Sequence, residues 1–188
     1  MKKSGTKPAK TPVNASNPKA RQRAPLLTPT DFKPAATRDT AAAMNGVLAD
    51  VFALYVQTKN FHRHMSGPHF GGDHIMLDAQ ADQLHAMSAL IAERIRKLGG
   101  TTLRSISHSA RTRRILDNDA DCAERSDVLA ELSEDNKTVA ARLREGHKVC
   151  DEHRDIATAS CIEIRIDETE RRTGLRFEAG RPGAATGH

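Results

Sequence analysis

Tryptophan is absent from this 188-residue chain, and tyrosine occurs only once. Together with five phenylalanines, the aromatic residues make up 3% of the sequence. Since β-sandwiches and barrels draw heavily on aromatic and β-branched residues, this composition favours helices. Long hydrophobic runs are also missing, because no stretch approaches the roughly 18 apolar residues that a membrane-spanning helix needs. We therefore expect an α-helical protein that is not embedded in a membrane.

Cysteine is scarce and irregularly placed. The three cysteines, Cys122, Cys150 and Cys161, include no Cys-x-x-Cys pair, and the sequence shows no apolar core of a secretory signal. A disulfide framework or a zinc ribbon is therefore not expected. These features favour a reducing compartment, so a cytoplasmic location is predicted.

Acidic residues are absent from the first 30 positions, which carry seven cations and five of the eight prolines. The remaining 158 residues hold 22 basic and 24 acidic groups, so the net charge of +5 combines a cationic tail with a mildly acidic body. Such a polar, proline-rich segment cannot bury enough apolar surface to fold alone. We predict a disordered tail over residues 1–35, one domain over 36–180 and a flexible C-terminus over 181–188.

The charge of the tail suits the phosphates of a nucleic acid, although tails that only aid solubility have the same composition. Its lysines would act as point charges, without base readout and without aromatic residues for stacking. The candidate DNA-binding residues are Lys2, Lys3, Lys7, Lys10, Lys19, Arg21 and Arg23.

Apolar residues recur at helical spacing through most of the body. The pattern predicts a helix from about Thr40 to a break at Gly67-Pro68, and a second from near Asp73 to the Gly99-Gly100 stop. A short helix is expected around 106–115. Two further helices would begin at the N-caps Ser126 and Asp155, the last ending near Gly174. Two helical hairpins joined by a longer crossover predict an all-α, ferritin-like four-helix bundle.

Four of the nine histidines fall within residues 62–78, around the predicted turn between the first two helices. His62 would end one helix and His74 would begin the next, while His74 and Asp78 share a helix face at i and i+4. Two imidazoles and a carboxylate suit iron, manganese or zinc. The alternative is a group of satisfied polar side chains near a loop.

Glu93 is a further carboxylate among apolar helical positions, and it could instead be an ion-pair partner of a neighbouring arginine. It follows Asp78 by 15 residues, or about 22 Å along a helix. Carboxylate ligands lie only about 2 Å from a transition metal, so Asp78 and Glu93 of one chain cannot share an ion. A site using both would lie between subunits. The Glu-x-x-His repeat of a di-iron centre within one bundle is absent.

Several separated motifs together resemble the Dps family, the DNA-binding proteins from starved cells. They span roughly residues 40–180 and occur in the family's order, at 62–78, 92–94, 98–100, 151–159 and 166–172. The resemblance implies a four-helix subunit with a short extra helix in the crossover, assembled as a hollow dodecamer. It also implies oxidation of Fe(II), preferably by hydrogen peroxide, storage of ferric iron, and nonspecific DNA binding at the nucleoid.

Carried over by position, the resemblance implies that His62, His74 and Asp78 of one subunit and Glu93 of its two-fold partner are the ferroxidase ligands. Their implied role is to ligate and orient Fe(II), and neither His64 nor His69 is assigned a role.

Four positions depart from the family pattern. The family's aspartate four residues before the glutamate is Ala89 here, and its tryptophan beside the first histidine is Arg63. Two later tryptophan positions hold Arg165 and Gly174, which would cost core volume if they are buried. An alternative function is therefore a DNA-compacting protein on the same scaffold with an impaired ferroxidase centre.

Overall fold

The computed structural model describes residues 28–67, 69–121 and 124–181. Most of the predicted tail, including the seven candidate DNA-binding cations, lies outside these segments, as do Cys122 and residues 182–188. Five helices and no strands occur in the described segments, which confirms the all-α prediction. They are α1 (Pro34–His64), α2 (Phe70–Lys97), α3 (Ile106–Thr112), α4 (Arg125–Glu152) and α5 (Ile156–Gly180).

The four long helices form two hairpins that pack into a bundle. Helix α1 packs against both α2 and α4, α5 packs mainly against α4, and the short α3 covers part of α1. Leu54, Leu84, Leu132 and Ile162 contribute one side chain from each long helix to the core and are fully buried. Within each long helix the buried apolar residues recur about every 3.6 positions, which places them on one face of that helix. The bundle therefore follows from the sequence pattern.

Local sequence signals mark the end of α2 and the start of α5. At Gly99, φ is +83°, which a glycine adopts without the steric cost of a side chain, and α2 ends just before it. Asp155 caps α5 as predicted, because its carboxylate accepts a hydrogen bond from the Thr158 amide at 3.0 Å.

Several predicted boundaries were wrong. Helix α1 begins at Pro34 rather than near Thr40, and α2 begins at Phe70 rather than near Asp73. Helix α4 begins at Arg125, and its N-cap residue is Glu124, so Ser126 is already inside the helix. Helix α5 continues through Gly174 to Gly180.

Two buried aspartates, each paired with a partly exposed arginine, fix the crossover and the start of α2. Asp50, with no exposed surface, accepts hydrogen bonds from the Arg114 backbone amide at 2.6 Å and from Arg114 Nε at 2.8 Å. Asp73 accepts hydrogen bonds from Arg125 Nε at 2.5 Å and Nη2 at 3.0 Å. This second pair anchors the first turn of α2, next to His74, against α4. No described helix is long and apolar enough to span a membrane.

Candidate metal centre

The turn between α1 and α2 brings two histidines into contact. His62 lies in the last turn of α1 and His74 in the second turn of α2. Their rings stack with centroids 3.6 Å apart and planes 26° from parallel. His74 Nδ1 also lies 3.1 Å from the backbone oxygen of His62, a contact that fixes the His74 ring. The antiparallel hairpin therefore creates the histidine pair.

Asp78 lies one turn beyond His74 and completes a group of three. Its Oδ1 atom is 3.6 Å from His62 Nε2, while its side chain remains 49% exposed. The structure thus brings His62, His74 and Asp78 together at one end of the first hairpin.

Lys59 is a member of this cluster that the sequence analysis missed. Its Nζ atom donates a hydrogen bond to Asp78 Oδ1 at 2.5 Å and lies 3.6 Å from Asp82 Oδ1. Lys59 precedes His62 by one helical turn, so its position on the same face of α1 was readable from the spacing. A cation that binds Asp78 must compete with this ammonium group.

The local electrostatics favour a neutral imidazole beside an ionised carboxylate. Burial, followed by the nearby charge of His74, lowers the pKa of His62 below its usual value. The hydrogen bond from Lys59 is the main reason why the pKa of Asp78 is also lowered. Metal ligands must be deprotonated, so both groups are in the form that ligation requires. In addition, buried His62 Nδ1 has no hydrogen-bond partner in the described chain.

The cluster is nevertheless incomplete within one chain. No set of three or more histidine, cysteine, aspartate or glutamate side chains in the described segments is arranged to hold a metal ion. Glu93 is exposed further along α2 and has no ion-pair partner among the described residues. The neighbouring Arg94 pairs with another acid, since its Nη2 atom binds Asp155 Oδ1 at 2.8 Å. Glu93 is thus exposed and, about 22 Å along α2 from Asp78, cannot join the cluster of its own chain.

The four departures from the family pattern have different surroundings. Ala89 is exposed on α2, one turn before Glu93, and Arg63 is exposed beside His62. Gly174 is exposed, and a Cβ atom built there would meet nothing within 4 Å, so this position removes no volume from the subunit core. Arg165 is largely buried, with its side chain 14% exposed, and pairs with Glu168 at 2.8 Å.

Comparison with known proteins agrees with the fold and the motifs. The family model for the ferritin-like domain matches residues 41–173. The DNA protection during starvation protein of Agrobacterium fabrum is 34% identical over 116 residues, which are 62% of this chain and 72% of that protein. A low temperature-induced protein of Nostoc is 28% identical over 68% of this chain and 72% of its own length.

Solved structures show the same fold at lower identity. DpsC from Streptomyces coelicolor superposes with a TM-score of 0.82 at 20% identity, covering 86% of this chain and 94% of that one. A Dps homologue from Halobacterium salinarum gives a TM-score of 0.78 at 22% identity, covering 88% and 95%.

Proposed function

The chain belongs to the Dps family of ferritin-like proteins, and on that basis we propose that it oxidises Fe(II) at sites shared between subunits and stores the ferric product inside a homo-oligomeric shell. Hydrogen peroxide is the proposed oxidant, and a dodecamer is the proposed assembly. The observation that carries this proposal is the convergence of His62, His74 and Asp78, while the exposed Glu93 lies about 22 Å further along α2, beyond their reach.

Four residues have defined parts in this function. His62 and His74 would bind Fe(II) through imidazole nitrogens, and Asp78 would supply the negative charge that retains it. Glu93 would reach the site of a neighbouring subunit, since the length of α2 separates it from Asp78 of its own chain. The iron is the substrate: two Fe(II) ions each give one electron to hydrogen peroxide, which takes up two protons and becomes two water molecules.

Lys59 and Ala89 favour a second candidate, a DNA-compacting protein with an impaired iron centre. Lys59 already neutralises Asp78, and Ala89 supplies no carboxylate one turn before Glu93. Both features reduce the negative charge available to a pair of Fe(II) ions.

Fe(II) oxidation by peroxide, followed anaerobically on the purified assembly, separates the two candidates. The proposed ferroxidase oxidises iron above the protein-free rate and loses this excess in His74→Ala, because that variant lacks one ligand. His64→Ala is the matched control, since this exposed histidine lies outside the cluster. A native chain without excess activity that gains it in Ala89→Asp supports the impaired centre. No activity in any variant contradicts the iron-oxidising proposal.

DNA binding is proposed as a second activity, through the seven cations of residues 2–23. Their charge of +7 supports this role, and a shell would present many tails to one DNA molecule and so raise its avidity.

The DNA proposal is tested by replacing these seven residues with glutamine in the full chain and measuring retardation of linear DNA at low salt. Retardation is expected to disappear, whereas Lys137→Gln, which removes an exposed cation from α4, leaves it intact. A deletion should stop at residue 27, because Thr28 donates a hydrogen bond to the Arg96 carbonyl at 2.9 Å. Unchanged retardation by the neutralised tail would contradict the proposal.

A further inference from the structure

Two arginines are buried inside the subunit, away from the histidine cluster. Arg172 and Arg176 are 0% and 1% exposed, and they are among the largest fully buried side chains in the described chain. They lie one turn apart on the face of α5 that packs against α4. Arginine is almost never fully buried unless its charge is paired, so this pair needs a physical explanation.

The hydrogen-bond partners of both guanidinium groups are neutral. Arg172 donates from Nε to Asn136 Oδ1 at 3.0 Å and from Nη2 to Thr169 Oγ1 at 2.8 Å. Arg176 donates from Nη1 to the Leu132 carbonyl at 2.8 Å. Three donors, Arg172 Nη1 and Arg176 Nε and Nη2, have no partner in the described chain. Neither arginine forms an ion pair with a carboxylate of the described segments.

Nearby acids do not balance the two charges. Asp135 on α4 is close enough to influence Arg176; burial and the charge of Glu131 raise the pKa of Asp135 to about 6, so at neutral pH it is mostly ionised and balances one of the two charges. Glu168 acts on Arg172 but is itself paired with Arg165. Burial lowers the pKa of Arg172 to about 10 and that of Arg176 to about 9, so both are still charged at neutral pH. At least one positive charge is therefore without a counter-ion.

We propose that a small monovalent inorganic anion, with chloride as the probe, binds between α4 and α5 and accepts hydrogen bonds from Arg172 Nη1, Arg176 Nε and Arg176 Nη2. A buried charged donor without an acceptor costs its full desolvation free energy. A water molecule would supply lone pairs, whereas an anion supplies lone pairs and the missing negative charge. The free donors belong to two side chains one turn apart on one helix face, and the proposed ion lies between them.

Thermal unfolding of the full chain tests this site, with sodium chloride and sodium sulfate compared at equal ionic strength. Chloride bound only by the folded state raises Tm by about 3–5 °C for each tenfold increase above half-saturation. Arg176→Leu is expected to abolish this specific dependence and still to fold, since apolar replacement of a buried ion is often neutral or stabilising. Arg171→Leu, an exposed arginine on the same turn, is the matched control and keeps the dependence.

The same rise of Tm in both salts, or a chloride dependence that persists in Arg176→Leu, would overturn the proposal. If Arg176→Leu fails to fold, Arg172→Met removes the neighbouring donors and is compared in the same way. Crystals grown in sodium bromide give an independent measurement. An anomalous peak within hydrogen-bonding distance of both guanidinium groups supports the site, and its absence contradicts it.

Discussion

Lys59 competes with Fe(II) for Asp78, one of the candidate iron ligands. Its ammonium group holds Asp78 Oδ1 at 2.5 Å, so Fe(II) must displace it before the carboxylate can ligate. We predict that Lys59→Gln strengthens Fe(II) binding about 1.4- to fivefold, because a partly exposed ion pair contributes roughly 0.2–1 kcal/mol. Anaerobic calorimetric titration of Fe(II) without oxidant measures the dissociation constant.

Lys97→Gln is the control for this prediction, since it removes an exposed cation from the far end of α2 and leaves Asp78 paired with Lys59. Weaker Fe(II) binding by Lys59→Gln would show that Lys59 orients Asp78 for the metal, contrary to the prediction.

At the scale of single residues, the sequence predicted neighbours within a helix better than neighbours across helices. His74 and Asp78 share a face by their spacing alone, and the position of His62 before the turn predicted its approach. The contact of Lys59 with Asp78 depends on the register of α1 against α2, which no local pattern specifies. The condition of burial, on which a loss of core volume at Gly174 depended, is not met for a similar reason, because burial depends on which side of α5 packs against α4.

At the scale of helices, the apolar periodicity predicted the number and order of the elements, while their ends depended on packing. Gly71 and Gly72 read as part of a loop but form the first turn of α2, where the amides need no intrahelical partner. Gly174 costs α5 about 1 kcal/mol relative to alanine. Helix α5 still continues, because Thr169, Arg172 and Arg176 are buried on either side of that glycine. Tertiary contacts therefore override the local preference.

At the scale of the whole molecule, one chain supplies two incomplete halves of the candidate iron site. The histidine cluster is at the start of α2 and Glu93 is near its end, so the proposed centre requires a second subunit. A two-fold interface would place each half against the complementary half of the partner and form two equivalent sites. This arrangement makes a quantitative prediction about mixtures of variants.

Subunits of His74→Ala and Glu93→Gln, each inactive alone, are expected to recover activity when they are refolded together in equal amounts. Half of the two-fold pairs would then be mixed, and each mixed pair would contain one intact site, so about a quarter of the native rate returns. The rate is measured as peroxide-dependent Fe(II) oxidation, in the Ala89→Asp background if the native chain is inactive. The control is an equal mixture of wild-type subunits with subunits that carry both His74→Ala and Glu93→Gln. This mixture should give about a quarter of the native rate if sites are shared between subunits. It should give about half of the native rate if each site lies within one subunit. Recovery of no activity from the two single variants, together with half the rate in the control, would mean that Glu93 acts within its own chain and that the shared site is wrong.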